Sequence, residues 1–171
     1  MSSLVSHPQR NSLRLQLRQN QMLQGMSNAQ WNELEPLLLV ADYRKGDPLV
    51  RQGDEEMEQF FIVEGMLKRV VSNPEGREMI LRFAAENEMD TSYAAWRLRT
   101  PVPYSIAAVT KVRTVELPMP AWAEFIEKHA EIKLRFERKH PELVGRIPKK
   151  ELAAYLNLTP ETLSRLKQRL R

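Results

Sequence analysis

The sequence contains no cysteine, only three histidines and no long apolar run. Without cysteine, disulfides, thiolate zinc sites, cysteine-ligated iron–sulfur clusters, a cysteine nucleophile and direct thiol sensing are all excluded. The longest apolar runs, such as residues 37–41, fall far short of the roughly 20 residues that a membrane-spanning helix needs. No signal-peptide core follows the N-terminus. We therefore expect a cytoplasmic protein that does not associate with membranes.

Catalytic motifs are missing as well. The sequence has no phosphate-binding glycine loop, no HExxH, no GxSxG and no pair of carboxylates beside a histidine. The acidic residues Glu55, Glu56 and Glu58 fall in a predicted turn and are interpreted as solvated charges. We expect no catalytic residues and no enzymatic activity.

Basic charge is concentrated near the C-terminus. Hydrophobic residues make up 42% and charged residues 28% of the 171 positions, as is typical of soluble globular proteins. Residues 144–171 hold seven Lys or Arg and two Glu, a net charge of +5, so within the total of +4 the rest of the chain sums to −1. A basic segment attracts phosphate, although charged runs are also common on solvated surfaces.

The first 38 residues show helical patterns. Residues 1–20 carry Arg10, Arg14 and Arg18 with no acidic residue, and are interpreted as a loosely ordered or helical arm with no assigned function. A helix is predicted over residues 27–38, because a Ser or Asn cap precedes apolar residues that share one face.

Residues 39–117 show a different pattern, in which short apolar runs alternate with turn residues such as Gly46, Gly53 and Gly65. This pattern is typical of an antiparallel sandwich or barrel. Beyond Pro118 and Pro120, apolar residues recur every three or four positions. They predict a helix that leaves the barrel.

The segment RIPKKELAAYLNLTPETLSRLKQRLR predicts two short helices joined by a tight turn. Pro148 suits the first turn of the first helix, and Asn157 tolerates a left-handed conformation at its end. Thr159 can cap the second helix, with Pro160 at its first position. Two such helices, the second rich in Arg and Lys, are typical of a helix-turn-helix.

The order of these parts resembles the CRP/FNR superfamily of bacterial regulators. YRKGDPLVRQGDEEMEQFFIVEGMLKRV looks like the opening strands of the family's cyclic-nucleotide-binding-like barrel, and ELAAYLNLTPETLSRLKQRL is similar to its recognition unit. The resemblance implies an α+β fold in three parts. These are an N-terminal β-barrel or jelly roll of the cyclic-nucleotide-binding type over residues 1–120, a connecting and dimerisation helix over 121–145, and a helix-turn-helix over 146–171.

For DNA contact, the resemblance implies base contacts from Glu161, Ser164 and Arg165 on one face of the second helix. A carboxylate can accept from cytosine, a hydroxyl can serve several base edges, and an arginine can bind guanine through two hydrogen bonds. The phosphate contacts that it implies are Lys149, Thr159, Thr162, Lys167 and Arg169. The alternative is a solvated C-terminal helix in which Glu161 is only a favourable first-turn charge.

The effector region departs from the family pattern. Family members that bind cyclic AMP use a Gly-Glu pair followed by Arg-Ser or Arg-Thr. The corresponding stretch, ENEMDTSYAAWRLRTPVPYSIAA, lacks the Gly-Glu pair and has Tyr104 before Ser105. Arg97 and Arg99 lie nearby in sequence and could supply positive charge, so these four residues form the candidate ligand pocket. The alternative is that Arg97 and Arg99 are surface residues, because no backbone amide nest accompanies them. We expect no response to cyclic AMP and leave open an unknown small-molecule effector.

Three further departures concern haem, the linker and the wing. His7, His129 and His140 lie in no recognisable ligand motif, so we expect no haem, no other cofactor and no metal site. Only 27 residues separate Pro120 from Pro148, which indicates either a shortened linker or missing sequence. No segment that could form a wing follows the recognition helix in this sequence.

The sequence therefore predicts a homodimeric transcription regulator of the CRP/FNR type that binds double-stranded DNA sequence-specifically and does not respond to cyclic AMP. The alternative is a small-ligand sensor or protein-interaction barrel that has lost productive DNA binding. A salt-dependent affinity for DNA distinguishes the two.

Overall fold

A computed structural model describes residues 1–91 and 93–139 of the chain. Within that part, no helix is long and apolar enough to cross a bilayer. The strands are β1 (Ser2–Ser3), β2 (Leu39–Tyr43), β3 (Pro48–Val50), β4 (Glu58–Glu64), β5 (Leu67–Ser72), β6 (Glu78–Ala84), β7 (Met89–Thr91), β8 (Ser105–Ala108) and β9 (Val112–Pro118). The helices are α1 (Arg10–Leu17), α2 (Asn28–Leu34), α3 (Tyr93–Leu98), α4 (Met119–Glu127) and α5 (Ala130–Lys139).

The strands form two antiparallel sheets. One has the order β1-β2-β9-β4-β7 and the other the order β3-β8-β5-β6. Apart from the pairs β1–β2 and β5–β6, consecutive strands lie in different sheets, as in a jelly roll, which confirms the predicted antiparallel sandwich. The predicted helix-turn-helix at residues 146–171 lies outside the described residues.

The two faces of the first sheet have different neighbours. Phe60 on β4 pairs with Asp90 on β7 and with Glu116 on β9, so these three side chains share one face. Phe61 lies on the opposite face, and its ring meets Trp122 of α4 edge-on with ring centroids 5.4 Å apart. The helices therefore cover the Phe61 face, and the Phe60 face is turned toward the second sheet.

The N-terminal segment is helical and packed against the barrel. In α1, Leu13 and Leu17 are buried. Ser27 caps α2, and its side chain and backbone exchange hydrogen bonds with Gln30 in a capping box. The helix predicted over residues 27–38 is confirmed, but its last turn is a 3-10 helix. Pro36 explains the change, because proline has no N–H with which to continue an α-helix.

The chain leaves the barrel through two helices where the periodicity predicts one. The backbone N–H groups of Lys128 and His129 donate to the carbonyls of Phe125 and Ile126, at 3.2 and 3.1 Å. These short-range bonds close α4. The carbonyl of His129 then accepts from the N–H of Ile132 at 3.0 Å and starts α5.

Phe136 fixes α5 to the rest of the domain. Its ring meets Tyr93 of α3 edge-on, with centroids 4.7 Å apart, and Trp122 of α4 at 5.7 Å. Edge-to-face aromatic pairs add about 0.5–1.5 kcal/mol beyond the burial of their area. The helix that follows the barrel is therefore packed on both α3 and α4.

Candidate functional site

A buried ion pair bridges the two sheets. Arg69 on β5 donates from Nη2 to Oδ1 of Asp90 on β7 and to the carbonyl oxygen of Thr91, the latter at 3.3 Å. The backbone N–H of Thr91 also donates to Asp90 Oδ1, at 2.8 Å. The side chains of Arg69 and Asp90 are 4% and 1% exposed. Each charge therefore depends on the other, since an unpaired charge is costly in a low-dielectric interior.

Tyr104 completes this arrangement. The guanidinium carbon of Arg69 lies 4.2 Å from the centroid of its ring, in cation–π geometry. The Tyr104 hydroxyl donates to the carbonyl oxygen of Thr91 at 2.6 Å. We call Arg69, Asp90, Thr91 and Tyr104 the interior cluster. It joins a strand of each sheet to the segment that precedes β8.

A second buried polar group lies on the same face of the first sheet. The carboxylate of Glu116 accepts from the hydroxyls of Tyr43, at 3.0 and 3.2 Å, and of Thr114, at 2.7 Å. Burial raises the pKa of Glu116, and these hydrogen bonds oppose the rise. Burial and the nearby Glu116 charge also raise the pKa of Tyr43. Asp90 thus has a cationic partner, whereas Glu116 is held by hydroxyl groups.

An acidic cavity opens beside the strands β3 and β4. Its volume is about 430 Å³, and it is lined by Leu49, Asp54, Glu55, Glu56 and Glu58. Burial raises the pKa of Glu58, and the charge of Glu116 adds to that rise. Glu55 and Glu56 are exposed, as a solvated turn requires, whereas Glu58 is half-buried. No metal-binding group of three or more His, Asp or Glu occurs within residues 1–91 and 93–139.

The four residues of the predicted ligand pocket have different surroundings. Arg97 in α3 and Arg99 just after it are exposed. Tyr104 is buried against Arg69, and the Oγ of Ser105 accepts from the backbone N–H of Gln52 at 2.9 Å. Only Tyr104 belongs to the interior cluster. A ligand site formed by the four together stays a prediction.

The other candidate residues fall into two groups. The Nδ1 of His7 accepts from the backbone N–H of Gln9 at 3.1 Å, and His129 contacts Glu33. The remaining candidates lie outside the described residues, and their roles stay predictions; they are His140, Lys149, Thr159, Glu161, Thr162, Ser164, Arg165, Lys167 and Arg169.

Sequence reasoning missed Arg69 and Asp90. A signal for Arg69 was present, because it lies between Leu67 and Val71 on the same face of β5, and both of these apolar residues are buried. A charged residue on an otherwise apolar strand face indicates a buried partner. The partner could not be named from the pattern, because Asp90 belongs to the other sheet and lies 21 positions away.

The two-sheet antiparallel jelly roll, followed by helices that pack on its first sheet, defines a β-roll domain of the cyclic-nucleotide-binding type. The chain belongs to the cyclic nucleotide-binding domain family, whose sequence profile matches residues 40–129. A comparison with curated protein sequences gave no significant match.

Several solved structures share this fold. The sensor domain of the transcriptional regulator DNR from Pseudomonas aeruginosa has a TM-score of 0.66 and 20% identity, over 81% of this chain and 96% of that one. The catabolite activator protein of Thermus thermophilus has a TM-score of 0.56 and 16% identity, over 87% of this chain and 85% of that one. A regulatory subunit of a cAMP-independent protein kinase A from Trypanosoma brucei has a TM-score of 0.63 and 20% identity, over 81% of this chain and 50% of that one. At these identities the likeness is one of fold.

Proposed function

We propose that this chain is a sequence-specific transcription regulator of the CRP/FNR type, which binds double-stranded DNA as a homodimer through residues 146–171. One observation carries the proposal. The cyclic nucleotide-binding domain, whose match ends just after α4, is followed by α5 and then by a basic segment with the pattern of two helices joined by a tight turn. The proposal assigns no enzymatic activity to the chain.

The similar structures support a regulatory role without deciding which one. Two of them are named as a transcriptional regulator and a catabolite activator, and the third as a kinase subunit. The β-roll therefore occurs in more than one kind of regulatory protein. The C-terminal segment, with seven basic and two acidic residues over positions 144–171, favours DNA as the partner of this chain.

The proposal does not include cyclic AMP as an effector. Tyr104 stands before Ser105, where the family resemblance implies an arginine, and its hydroxyl is bound to the Thr91 carbonyl. The nearby cation, Arg69, is already paired with Asp90. We expect no saturable heat when cyclic AMP is titrated into the protein in a calorimeter. Saturable binding would contradict this part of the proposal.

Two matched substitutions in the second predicted helix test direct DNA recognition. A cognate duplex is first selected from a pool of palindromic sequences. Arg165→Ala should weaken binding to that duplex by about 1–3 kcal/mol and relax the preference at one base pair, because a base contact is lost. Lys167→Ala should weaken binding to cognate and unrelated duplexes alike, because phosphate contacts carry no sequence information.

Fluorescence anisotropy on cognate and scrambled duplexes measures both effects. If Arg165→Ala leaves the ratio of the two affinities unchanged, Arg165 does not read a base. If the unmodified protein does not bind DNA at all, the chain is better explained as a sensor or interaction barrel that has lost productive DNA binding.

A further inference from the structure

His129 lies between α4 and α5 and connects this junction to α2. Its Nε2 is 2.8 Å from Oε2 of Glu33, and its Nδ1 is 3.3 Å from Nε2 of Gln30. The imidazole also contacts the Phe125 ring, with centroids 4.7 Å apart, and its side chain is 18% exposed. We call Gln30, Glu33 and His129 the junction cluster.

The capping box of α2 fixes the orientation of the Gln30 amide. The backbone N–H of Ser27 donates to Gln30 Oε1 at 2.9 Å, and the backbone N–H of Gln30 donates to Ser27 Oγ at 3.2 Å. A peptide N–H can only donate, so the amide oxygen must face Ser27 and the amide NH2 must face His129. The Nδ1 of His129 is therefore the acceptor. The ring proton then lies on Nε2 and is donated to Glu33.

We infer that His129 forms a pH-sensitive contact between α2 and the α4–α5 junction. A proton added at Nδ1 turns that nitrogen into a donor that faces the NH2 of Gln30, which is also a donor. The bond from Nε2 to Glu33 is strengthened at the same time, because it becomes charge-assisted. Protonation therefore releases His129 from Gln30 and keeps it on Glu33.

The charges around the ring allow this exchange of partners. Glu33 on α2 contacts the ring, and the other charged groups of the elements that meet there form ion pairs, Lys128 with Glu33 and Glu124 and Lys133 with Glu127. Lys128 Nζ lies 3.4 Å from Glu33 Oε1, so the second oxygen of that carboxylate is occupied. The hydrogen bond from His129, and then that from Lys128, lower the pKa of Glu33. Glu33 is therefore ionised at pH 4.5, its ordinary pKa, and above.

The base of α5 is the element that responds. The His129 carbonyl accepts from the N–H groups of Ile132 and Lys133, both at 3.0 Å, so the residue that contacts Gln30 and Glu33 also starts the helix. The far part of α5 is held separately, through Phe136 and through Arg135, whose Nη1 donates to the Gln24 carbonyl at 2.6 Å. Release from Gln30 therefore loosens one end of α5 while the other stays attached. This inference does not depend on DNA binding.

The tautomer of His129 is the first measurement. Nitrogen-15 NMR of the full chain near pH 8 should show the Nε2–H tautomer, with the resonances assigned by their loss in His129→Gln. The Nδ1–H tautomer would overturn the inference, because Nδ1 would then already be a donor.

Hydrogen exchange in Gln30→Glu supplies the matched control. A carboxylate keeps the capping box but offers His129 an acceptor. In the unmodified protein, exchange of the Ile132 and Lys133 amides, which donate to the His129 carbonyl, should rise about two- to tenfold between pH 8 and pH 5.5 after correction for its intrinsic pH dependence, as expected for the loss of one neutral hydrogen bond. In Gln30→Glu it should not rise. The same pH response in both proteins, or no response in the unmodified protein, would overturn the inference.

Discussion

Two arginine–aspartate pairs in this domain have similar chemistry and different surroundings. On the surface, Arg113 on β9 donates two hydrogen bonds, of 2.7 and 3.1 Å, to the carboxylate of Asp42 on β2. Their side chains are 23% and 51% exposed. Between the sheets, Arg69 and Asp90 are almost completely buried. Solvent, and not the number of hydrogen bonds, decides what each pair contributes.

The difference follows from what replaces a lost partner. Water solvates either member of the surface pair when the other is removed, so the net gain from such a pair is small. The members of the interior pair are only 4% and 1% exposed, so removal of one leaves a charge with almost no access to solvent. Removal of one partner is therefore expected to destabilise the fold more in the interior cluster than in the surface pair.

The largest expected effect comes from opening the interior pair. Arg69→Met should lower the free energy of unfolding by about 3–5 kcal/mol, because Asp90 is left buried without its cation. Urea denaturation measures the loss, and Arg113→Met is the matched control on the surface. A loss below about 1 kcal/mol in Arg69→Met would remove the distinction between the two pairs.

Two buried carboxyl groups with opposite pKa shifts sharpen the comparison. The hydrogen bond from Arg10, at 2.7 Å, lowers the pKa of Glu35, whereas burial raises the pKa of Glu116. Ionised Glu35 therefore stabilises the fold above pH 4.5, the ordinary pKa of this carboxyl group. This contribution is lost as the pH falls through the lower pKa that Glu35 has in the folded state. Ionised Glu116 has the opposite effect. The loss of stability that it causes is absent below pH 4.5 and grows as the pH rises through the higher pKa that Glu116 has in the folded state.

Glutamine substitutions separate these two signs. At pH 7, Glu35→Gln should lower the free energy of unfolding by about 1–2 kcal/mol, because a charged hydrogen bond becomes a neutral one. Glu116→Gln should leave stability unchanged or raise it slightly. Urea midpoints measured from pH 7 down to pH 4 test both, and the deficit of Glu35→Gln should shrink as the pH falls. A clear loss of stability in Glu116→Gln at pH 7 would show that its hydroxyl partners outweigh the cost of burial.

The smallest effect is expected on the surface. Asp42→Ala should cost about 0–1 kcal/mol, and most of that loss should disappear in high salt. Thermal unfolding at low and high ionic strength measures it. A cost that is both larger than this and independent of salt would mean that Asp42 acts through packing against its neighbours.

The barrel could be predicted from the sequence because its signals are local. Turn residues such as Gly46 and Gly53 adopt positive φ angles of 90° and 97°, which few other residues tolerate, and alternating side chains fill the strands between them. A Ser or Asn cap was equally visible, and the structure places it at Ser27, whose partner Gln30 lies three positions away. Each of these features depends on neighbours within one turn or one strand.

The interior cluster and the helix break depend on distant contacts. Asp90 and Arg69 meet only when the two sheets face each other, so no local pattern joins them. The apolar period continues through Lys128 and His129, and the break there coincides with the contacts of both residues to Glu33 on α2. Sequence periodicity reports which face of a helix is buried, but it does not report contacts between segments that are far apart in the chain.

The central claim is that the chain is a DNA-binding regulator, and a salt-dependent titration tests it most directly. Fluorescence anisotropy of the full chain against palindromic duplexes is measured at several salt concentrations, together with the mass of the protein in solution. With Lys149, Lys167 and Arg169 on phosphates, the logarithm of the affinity should fall against the logarithm of salt concentration with a slope of about −3 per subunit, in a dimer. A monomer with no DNA affinity at low salt would contradict the claim.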